Sequence, residues 1–245
     1  MSRRITLATA LRVLRQLRRD PRTLALVFLV PPMLITLFRY VFNGQSTTFD
    51  RVGGPMVGIF PFSTMFVVTS IAMLRERTTG TLERLMSMPL AKLDLLLGYG
   101  IAFAAVATAQ ASITSAVAFG LLGLDVQGAV WVVVLLAVAN AVLGMSLGLF
   151  VSAFARSEFQ AVQFMPVVIA PQLLLCGIIV PRDVLPDWLQ WISNVLPASY
   201  ALEALQQVGA YSEPTAIAVR DIAVVIGFAV LALCLAAATL RRRTP

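Results

Sequence analysis

Two long stretches without a charged side chain constrain the fold of this chain more than any other feature. Residues 95–124 and 126–155 each run for 30 residues without Asp, Glu, Lys or Arg, and only Asp125 separates them. A membrane-spanning helix needs about 20 consecutive apolar residues. Over the whole chain 13% of the residues are charged, whereas soluble domains carry about 25%. The sequence therefore predicts an all-α membrane protein.

Six apolar stretches follow one another along the chain and are separated by short polar segments. They predict spans at about residues 24–42, 56–74, 95–123, 127–155, 159–180 and 222–240. Because the connections are short, residues 1–245 are expected to form a single transmembrane domain. In the segment 181–219 before the last span, Trp and Tyr side chains favour the membrane interface, which predicts short interfacial or re-entrant helices there.

The basic residues predict the orientation of these spans in the membrane. Seven Lys and Arg residues precede the first span, four lie in the loop 75–94, one lies between the fourth and fifth spans and three end the chain, giving 15. The opposite side carries four. Since positively charged loops stay in the cytoplasm, both termini are expected to be cytoplasmic.

Residues 1–22 predict an amphipathic helix that lies along the membrane surface. Its apolar face comprises Ile5, Leu7, Leu11, Leu14 and Leu17. Its opposite face carries most of Arg12, Arg15, Arg18 and Arg19. A simple topology anchor would have the same pattern, so the residues alone leave both interpretations open.

The side chains that most enzymes need are missing from this sequence. There is no histidine, which excludes histidine bases, Ser-His triads and histidine metal sites. The only lysine, Lys92, follows Met-Pro-Leu-Ala and lacks the glycines with which a P-loop cradles phosphate. We therefore expect no catalytic, cofactor-binding or metal-ligating residue. Few ionisable residues lie within the spans, so an ion-driven carrier is disfavoured as well.

Small and amide side chains inside the spans predict helix packing. Gly144 and Gly148 form a GxxxG motif, which favours a close helix contact without naming the partner helix. The amides in or near the spans belong to Gln110, Asn140, Gln160, Gln163 and Gln172. They favour hydrogen bonds between helices over a solute path, although both interpretations fit.

Two segments resemble a known family. Residues 75–89, RERTTGTLERLMSMP, resemble the ERxxGTLExLxxxP loop that follows the second span of ABC-2 type transporter permeases. Residues 176–181 (CGIIVP), 185–188 (LPDW) and 196–200 (LPASY) resemble the region before the last span of that family. The closest branch is similar to the daunorubicin-resistance-type permeases. The resemblance covers essentially the whole chain.

The resemblance implies a permease dimer, made of identical or different subunits, above two ABC ATPase subunits that use ATP and Mg²⁺. It implies that the loop 75–94 and the N-terminal helix contact the ATPase. The expected loop residues are Glu76, Gly80, Thr81, Leu82, Glu83, Arg84 and Leu85. The expected residues of the helix are Leu11, Arg12, Leu14 and Arg15. An outer gate is expected at Gly177, Pro181, Pro186, Trp188 and Pro197.

The expected function is export of a lipophilic or amphipathic substrate, such as a drug, antibiotic or lipid, across the inner membrane of a bacterium. No nucleic-acid partner is expected, because the basic residues flank apolar spans. Two alternatives stay open: a non-transport assembly or signalling subunit, and a channel or secondary carrier that works without an ATPase.

Overall fold

The structure, a computed structural model, describes residues 3–86, 92–213 and 215–239. Within these ranges every regular element is helical, which confirms the predicted all-α class. The helices are α1 (Arg3–Arg18), α2 (Pro21–Val41), α3 (Ser46–Thr78), α4 (Thr81–Met86), α5 (Lys92–Ala116), α6 (Val130–Val151), α7 (Glu158–Leu175), α8 (Asp187–Val195), α9 (Pro197–Ala210) and α10 (Ala216–Ala238). A π-helical turn extends α5 to Leu121, and a 3-10 turn over Arg182–Val184 precedes α8.

Six of the described helices are long and apolar enough to cross a membrane: α2, α3, α5 with its π turn, α6, α7 and α10. This confirms the predicted six spans, and α1, α8 and α9 are the predicted short helices outside them. We call the end of the bundle that carries α1 the α1 end, and the opposite end the α9 end. The cytoplasmic location of the α1 end stays a prediction from the basic residues.

Polar side chains define where several of these helices begin. Asp20 caps α2 by accepting a hydrogen bond from the Thr23 backbone N–H at 3.2 Å, and Pro21 occupies the first helical position, where its missing N–H has no consequence. Ser157 caps α7 and Thr215 caps α10 in the same way. Each cap satisfies a backbone donor that the helix leaves without a partner.

Helix α3 is much longer than the predicted second span of 56–74, because it runs from Ser46 to Thr78. The segment 46–55 is polar and contains two glycines and a proline, which favour a loop when the segment is considered alone. Tertiary contacts keep it helical in the structure. Phe49 is buried, and the Asp50 carboxylate accepts a hydrogen bond from the Asp125 backbone N–H at 3.1 Å.

The other spans differ from the predicted bounds at their ends. Helix α7 ends at Leu175 instead of residue 180, because Gly177 follows with a φ of 97° that ends the helix. Helix α10 begins at residue 216 instead of 222, and its predicted end at residue 240 lies outside the described residues. The predicted spans 127–155 and 24–42 correspond to residues 130–151 and 21–41.

The GxxxG motif of α6 packs against α3, which identifies the partner helix. A Cβ atom on Gly144 would overlap the Phe62 carbonyl and lie 2.9 Å from its carbon atom. A Cβ on Gly148 would overlap the Thr69 hydroxyl, which donates a hydrogen bond across the interface to the Met145 carbonyl at 3.2 Å. Only glycine permits this approach, because any side chain would push the two backbones apart.

Helix α3 lies at the centre of the bundle, where it contacts α2, α5, α6, α7 and α9. Two buried amides join further helices. The side-chain amide of Gln110 in α5 donates to the Val27 backbone carbonyl of α2 at 2.9 Å. The side-chain Oε1 of Gln172 in α7 accepts from the Ala198 backbone N–H of α9 at 3.3 Å. These contacts confirm that the two amides hydrogen-bond between helices. In contrast, α2 and α7 each expose a row of large apolar side chains, as a bilayer or a second subunit requires.

Candidate coupling site

Three consecutive residues in the last turn of α3, Arg75, Glu76 and Arg77, contact helices on different sides of the bundle. We call them the α3 triplet. Arg75 Nε lies 2.7 Å from Oε1 of Glu158, the first residue of α7. Arg75 Nη1 lies 3.7 Å from Oδ2 of Asp20, the cap of α2. Arg75 therefore connects the ends of three membrane-spanning helices.

Neighbouring groups lower the pKa of the Asp20 carboxylate. Hydrogen bonds from the Thr23 hydroxyl and backbone N–H hold the pKa of Asp20 below its usual value, and the charge of Arg75 lowers it further. Both ion pairs of Arg75 are half exposed to solvent, so each contributes only about 0–1 kcal/mol to stability. Their main effect is to fix which helix ends lie together.

Glu76 points to the other side of α3 and is 4% exposed. Its Oε2 lies 3.5 Å from Nη2 of Arg12 on α1. The same Arg12 nitrogen donates a hydrogen bond to the hydroxyl of Tyr99 on α5, and the guanidinium lies 5.5 Å from the centre of the Tyr99 ring. Because Glu76 is buried, loss of Arg12 would leave a carboxylate without its counter-charge, which costs about 3–5 kcal/mol.

Arg77 completes the α3 triplet by contacting the last turn of α10. Its Nη2 donates to the Thr239 hydroxyl at 3.3 Å. The α3 triplet therefore touches α1, α2, α5, α7 and α10 through three side chains. A displacement of the last turn of α3 would be transmitted to each of these helices.

The loop that follows the α3 triplet is compact. The Thr79 hydroxyl donates to the Arg75 carbonyl at 2.7 Å, and Gly80 turns the chain with a φ of 72°. A residue with a side chain would be strained in that conformation. Helix α4 then carries Thr81 and Arg84 outward, where Arg84 is exposed. The turn lies directly below α3, so a force on α4 acts on the α3 triplet.

Three of the predicted ATPase-contacting side chains face inward instead. Glu76 belongs to the α3 triplet, Leu82 is 5% exposed and part of the main apolar core, and Leu85 packs against that core. The bundle itself covers these two leucines. The side chain of Glu83 and the segment 87–91 lie outside the described residues.

Helix α1 packs on α5 mainly through small and β-branched residues, and the predicted contact of Leu7 and Leu11 with the membrane surface stays a prediction. Its contact with α5 runs through Thr6, Thr9, Ala10, Val13 and Leu17, whereas Leu7 and Leu11 are about half exposed. The reason is Gly98 of α5, where a Cβ atom would lie 2.5 Å from the Thr9 Cβ. Small residues on both helices allow a close approach that the larger leucines would prevent.

The predicted outer-gate residues lie together at the α9 end. Gly177 and Pro181 begin the segment after α7, Pro186 precedes α8, and Pro197 starts α9. Trp188 on α8 is 65% exposed, as expected of an aromatic residue at a membrane interface. In contrast, Pro197 is buried, because α9 packs against α3, α6, α7 and α10.

An arginine network that the sequence did not predict holds the α9 end together. Arg182 lies 2.8 Å from the Glu203 carboxylate of α9, donates to the Asn194 side chain of α8 and lies over the Tyr200 ring. Arg220 of α10 approaches the same Glu203 carboxylate at 3.6 Å. The topology prediction had treated both arginines only as charges outside the spans.

The arginine network borders a cavity of about 1120 Å³, which we call the α9-end cavity. Acidic and basic side chains both line it, and Asp50, Asp125 and Asp183 contribute to the lining beside the arginine network. Such a mixed lining suits water and polar groups better than a purely apolar ligand. The cavity therefore differs from the exposed apolar faces of α2 and α7.

Comparisons with known proteins show which family this chain resembles. The family model for the ABC-2 type transporter matches residues 6–208. ABC transporter G family member 20 of Dictyostelium discoideum is 29% identical over 166 residues, covering 68% of this chain and 23% of that protein. The probable multidrug ABC transporter permease YbhR of Escherichia coli K12 is 29% identical over 147 residues, covering 59% of this chain and 39% of that protein. This chain therefore spans less than half the length of these two relatives.

Proposed function

Because this chain belongs to the ABC-2 type transporter family, we propose that it is the permease subunit of an exporter driven by a separate ABC ATPase. The observation that carries the proposal is the α3 triplet, which lies one turn above the Gly80 loop and contacts five other helices. A protein that pushed on this loop would act on the whole bundle through α3.

In this proposal the ATPase contacts the exposed residues around Gly80, including Thr79 and Arg84. ATP binding and hydrolysis, with Mg²⁺, take place in two ATPase subunits. Closure of the ATPase dimer displaces α4 and the last turn of α3. The ion pair of Arg12 with the buried Glu76 then moves α1 and α5 together with α3. Two discrete helix packings, with the path open to one side in each, would complete the cycle.

The proposed complex contains two permease subunits. The exposed apolar side chains of α2 and α7 would contact a second copy or a related subunit as well as lipid. Export would take a lipophilic or amphipathic substrate from the cytoplasm or the inner leaflet. The α9-end cavity, with its mixed charges, suits the hydrated polar part of an amphipathic molecule on its way out.

We place the complex in the inner membrane of a bacterium, with the α1 end in the cytoplasm. The distribution of basic residues supports this orientation. The bacterial relative YbhR is named as a probable multidrug permease, which supports a drug-like cargo. The assignment to the daunorubicin-resistance branch stays a prediction.

The test is reconstitution with an ABC ATPase from the same genome. We expect the ATPase to copurify with the wild-type permease and to lose this association when residues 80–84 are replaced or when Arg84 is changed to Ala. Arg156→Ala is the matched control, because Arg156 is an exposed arginine at the same end of the bundle. An Arg84→Ala variant that binds the ATPase as tightly as Arg156→Ala would contradict the proposed contact.

Transport in vesicles separates the remaining alternatives. ATP-dependent movement of a fluorescent amphipathic dye is expected only when both subunits are present. Dye movement without the ATPase would instead indicate a channel or carrier. A stable complex with the ATPase that moves no tested dye, antibiotic or lipid would indicate an assembly or signalling subunit.

A further inference from the structure

A groove open to the side of the bundle lies between α1 and α2 on one side and α3 and α5 on the other. Its volume is about 240 Å³. Apolar side chains form most of its wall: Val13, Leu17, Leu26, Val67, Val68 and Ile71. Polar and charged groups line the rest of it: Gln16, Asp20, Thr23, Arg75, Glu76 and Tyr99. Leu26 is 59% exposed, so the groove opens toward the surroundings of the bundle instead of into its core.

A basic pocket on α1 adjoins this groove. Its volume is about 390 Å³, and it is lined by Arg12, Arg15, Gln16, Arg19 and Ala8. Gln16 borders both the basic pocket and the groove, so the two lie side by side on α1. The arginines share a face because residues three and four positions apart are neighbours on a helix.

The charge of the basic pocket is only partly compensated. Arg12 pairs with Glu76, but in the described part of the chain neither Arg15 nor Arg19 forms an ion pair with a carboxylate. Both side chains are exposed. Two guanidinium groups therefore face one pocket next to an apolar groove, and together they suit an anionic head attached to an apolar chain.

We propose that the basic pocket and the adjoining groove, together called the lipid groove, bind an anionic phospholipid of the cytoplasmic leaflet. The phosphate lies against Arg15 and Arg19, and one acyl chain lies in the groove beside Leu26 and Val68. Clusters of basic residues on an amphipathic helix at the cytoplasmic surface characteristically bind the headgroups of acidic phospholipids. The proposal goes beyond the export function, because a lipid here would stabilise the contact of α1 with α3 and α5 without being the cargo.

The adjoining apolar wall favours a lipid over a protein partner. A soluble ATPase could offer carboxylates to the arginines. It has no acyl chain with which to fill the apolar groove beside them. The proposal thus assigns Arg15 to the membrane, whereas the family resemblance grouped it with the ATPase-contacting helix. If Arg15 binds lipid, replacing it should release lipid. If Arg15 contacts the ATPase, replacing it should release the ATPase.

The test uses the full permease with its ATPase, purified in detergent, and phosphatidylglycerol as the probe. Phosphatidylglycerol that stays bound is quantified by mass spectrometry, and its affinity is measured in nanodiscs of phosphatidylcholine. We expect R15Q/R19Q to lower the affinity roughly 30-fold, since each arginine near an anionic surface contributes about a fivefold factor. R3Q/R18Q removes the same charge from residues of α1 that do not line the basic pocket, and it should retain the lipid.

A second pair of variants tests the apolar half of the site. Leu26→Trp fills the groove while leaving the arginines intact, and we expect it to displace the acyl chain and reduce bound phosphatidylglycerol. Leu29→Trp is the control, because Leu29 is equally exposed on α2 but does not line the groove. Both positions are exposed, so the variants should fold, and size-exclusion chromatography checks that they do.

Three results would overturn the proposal. Equal loss of lipid in R15Q/R19Q and R3Q/R18Q would indicate diffuse charge attraction without a site. Equal retention in Leu26→Trp and Leu29→Trp would show that no chain occupies the groove. Release of the ATPase by R15Q/R19Q, with lipid binding unchanged, would show that these arginines serve a protein partner.

Discussion

Replacing Gly144 by Ala should separate the two helices that form the centre of the bundle. In the structure a Cβ at this position would lie 2.9 Å from the Phe62 carbonyl carbon and closer still to its oxygen. Ordinary contact begins at 3.4 Å, so the helices must move apart by at least 0.5 Å (3.4 − 2.9). The obstacle is backbone, which cannot rotate away as a flexible side chain would.

The expected loss follows from that displacement. A gap of about 0.5–1 Å removes roughly a quarter to a half of the dispersion energy of the affected contacts, and overpacking of a dense core typically costs about 1–3 kcal/mol. The α3–α6 contact is the most extensive in the bundle, so we expect the upper part of this range, about 2–3 kcal/mol. The melting midpoint in detergent should fall by roughly 4–12 °C, at about 2–4 °C per kcal/mol.

Gly227→Ala is the matched control for this prediction. Gly227 lies within α10, another membrane-spanning helix, and a Cβ there would meet no atom within 4 Å. Its midpoint should therefore stay close to that of the wild type, with a change of at most about 0.5 kcal/mol. If Gly144→Ala melted together with Gly227→Ala and the wild type, the close α3–α6 packing described above would be refuted.

Three further predictions concern the ends of the bundle. Gly98→Val should displace α1 from α5, seen as faster hydrogen exchange over residues 3–18; unchanged exchange would contradict the close packing. Asp20→Ala should lower stability by about 1 kcal/mol at neutral pH, because the α2 cap is lost. Since the pKa of Asp20 is lowered in the folded state, that stabilisation is present above the unfolded pKa and disappears as the pH falls below about 4, so the wild-type and variant midpoints should converge there. Arg182→Gln should speed hydrogen exchange of α8 without affecting α3, because Arg182 connects the α8 side chain Asn194 to Glu203 of α9.

The spans were predictable because their signal is local. Residues 95–124 and 126–155 contain no charged side chain over a length that exceeds a membrane span. The same chain segments form α5 and α6. The beginning of α3 was not predictable, because the segment 46–55 reads as a loop. Contacts with residues far along the chain support its helix: Asp50 accepts a hydrogen bond from the Asp125 backbone N–H, and Leu124 lies against Gly53.

The face of α1 that packs on α5 shows a second limit of the sequence. Leucine spacing predicted an apolar face for the membrane surface, but it did not predict that α5 would pack on the small residues around Ala10, where Gly98 permits a close approach. Periodicity reports which residues are apolar, whereas packing also depends on the size of the residue on the facing helix. That partner cannot be identified from the pattern of one helix.

The candidate site was only half predictable. The loop at Gly80 could be singled out from its resemblance to a family motif, and its turn follows from glycine. The partners of the α3 triplet could not, because Arg12 and Glu76 are 64 positions apart and Arg75 and Glu158 are 83 apart. With 19 basic and 12 acidic residues in the chain, charge alone permits many pairings.

In the proposed mechanism α3 transmits motion of the ATPase to the other helices through the ion pair of Arg12 with the buried Glu76. The most direct measurement is ATP turnover by the complex in nanodiscs relative to the isolated ATPase, together with the amount of ATPase bound. It should be made for Arg12→Glu, for Glu76→Arg, and for the variant that carries both substitutions.

We expect each single variant to keep the ATPase bound but to lose the effect of the permease on ATP turnover, because a buried charge is left next to a like charge. The double variant restores opposite charges and should recover most of that effect. Single variants with wild-type turnover, or a double variant no better than the single ones, would contradict the claim that this pair couples the two subunits.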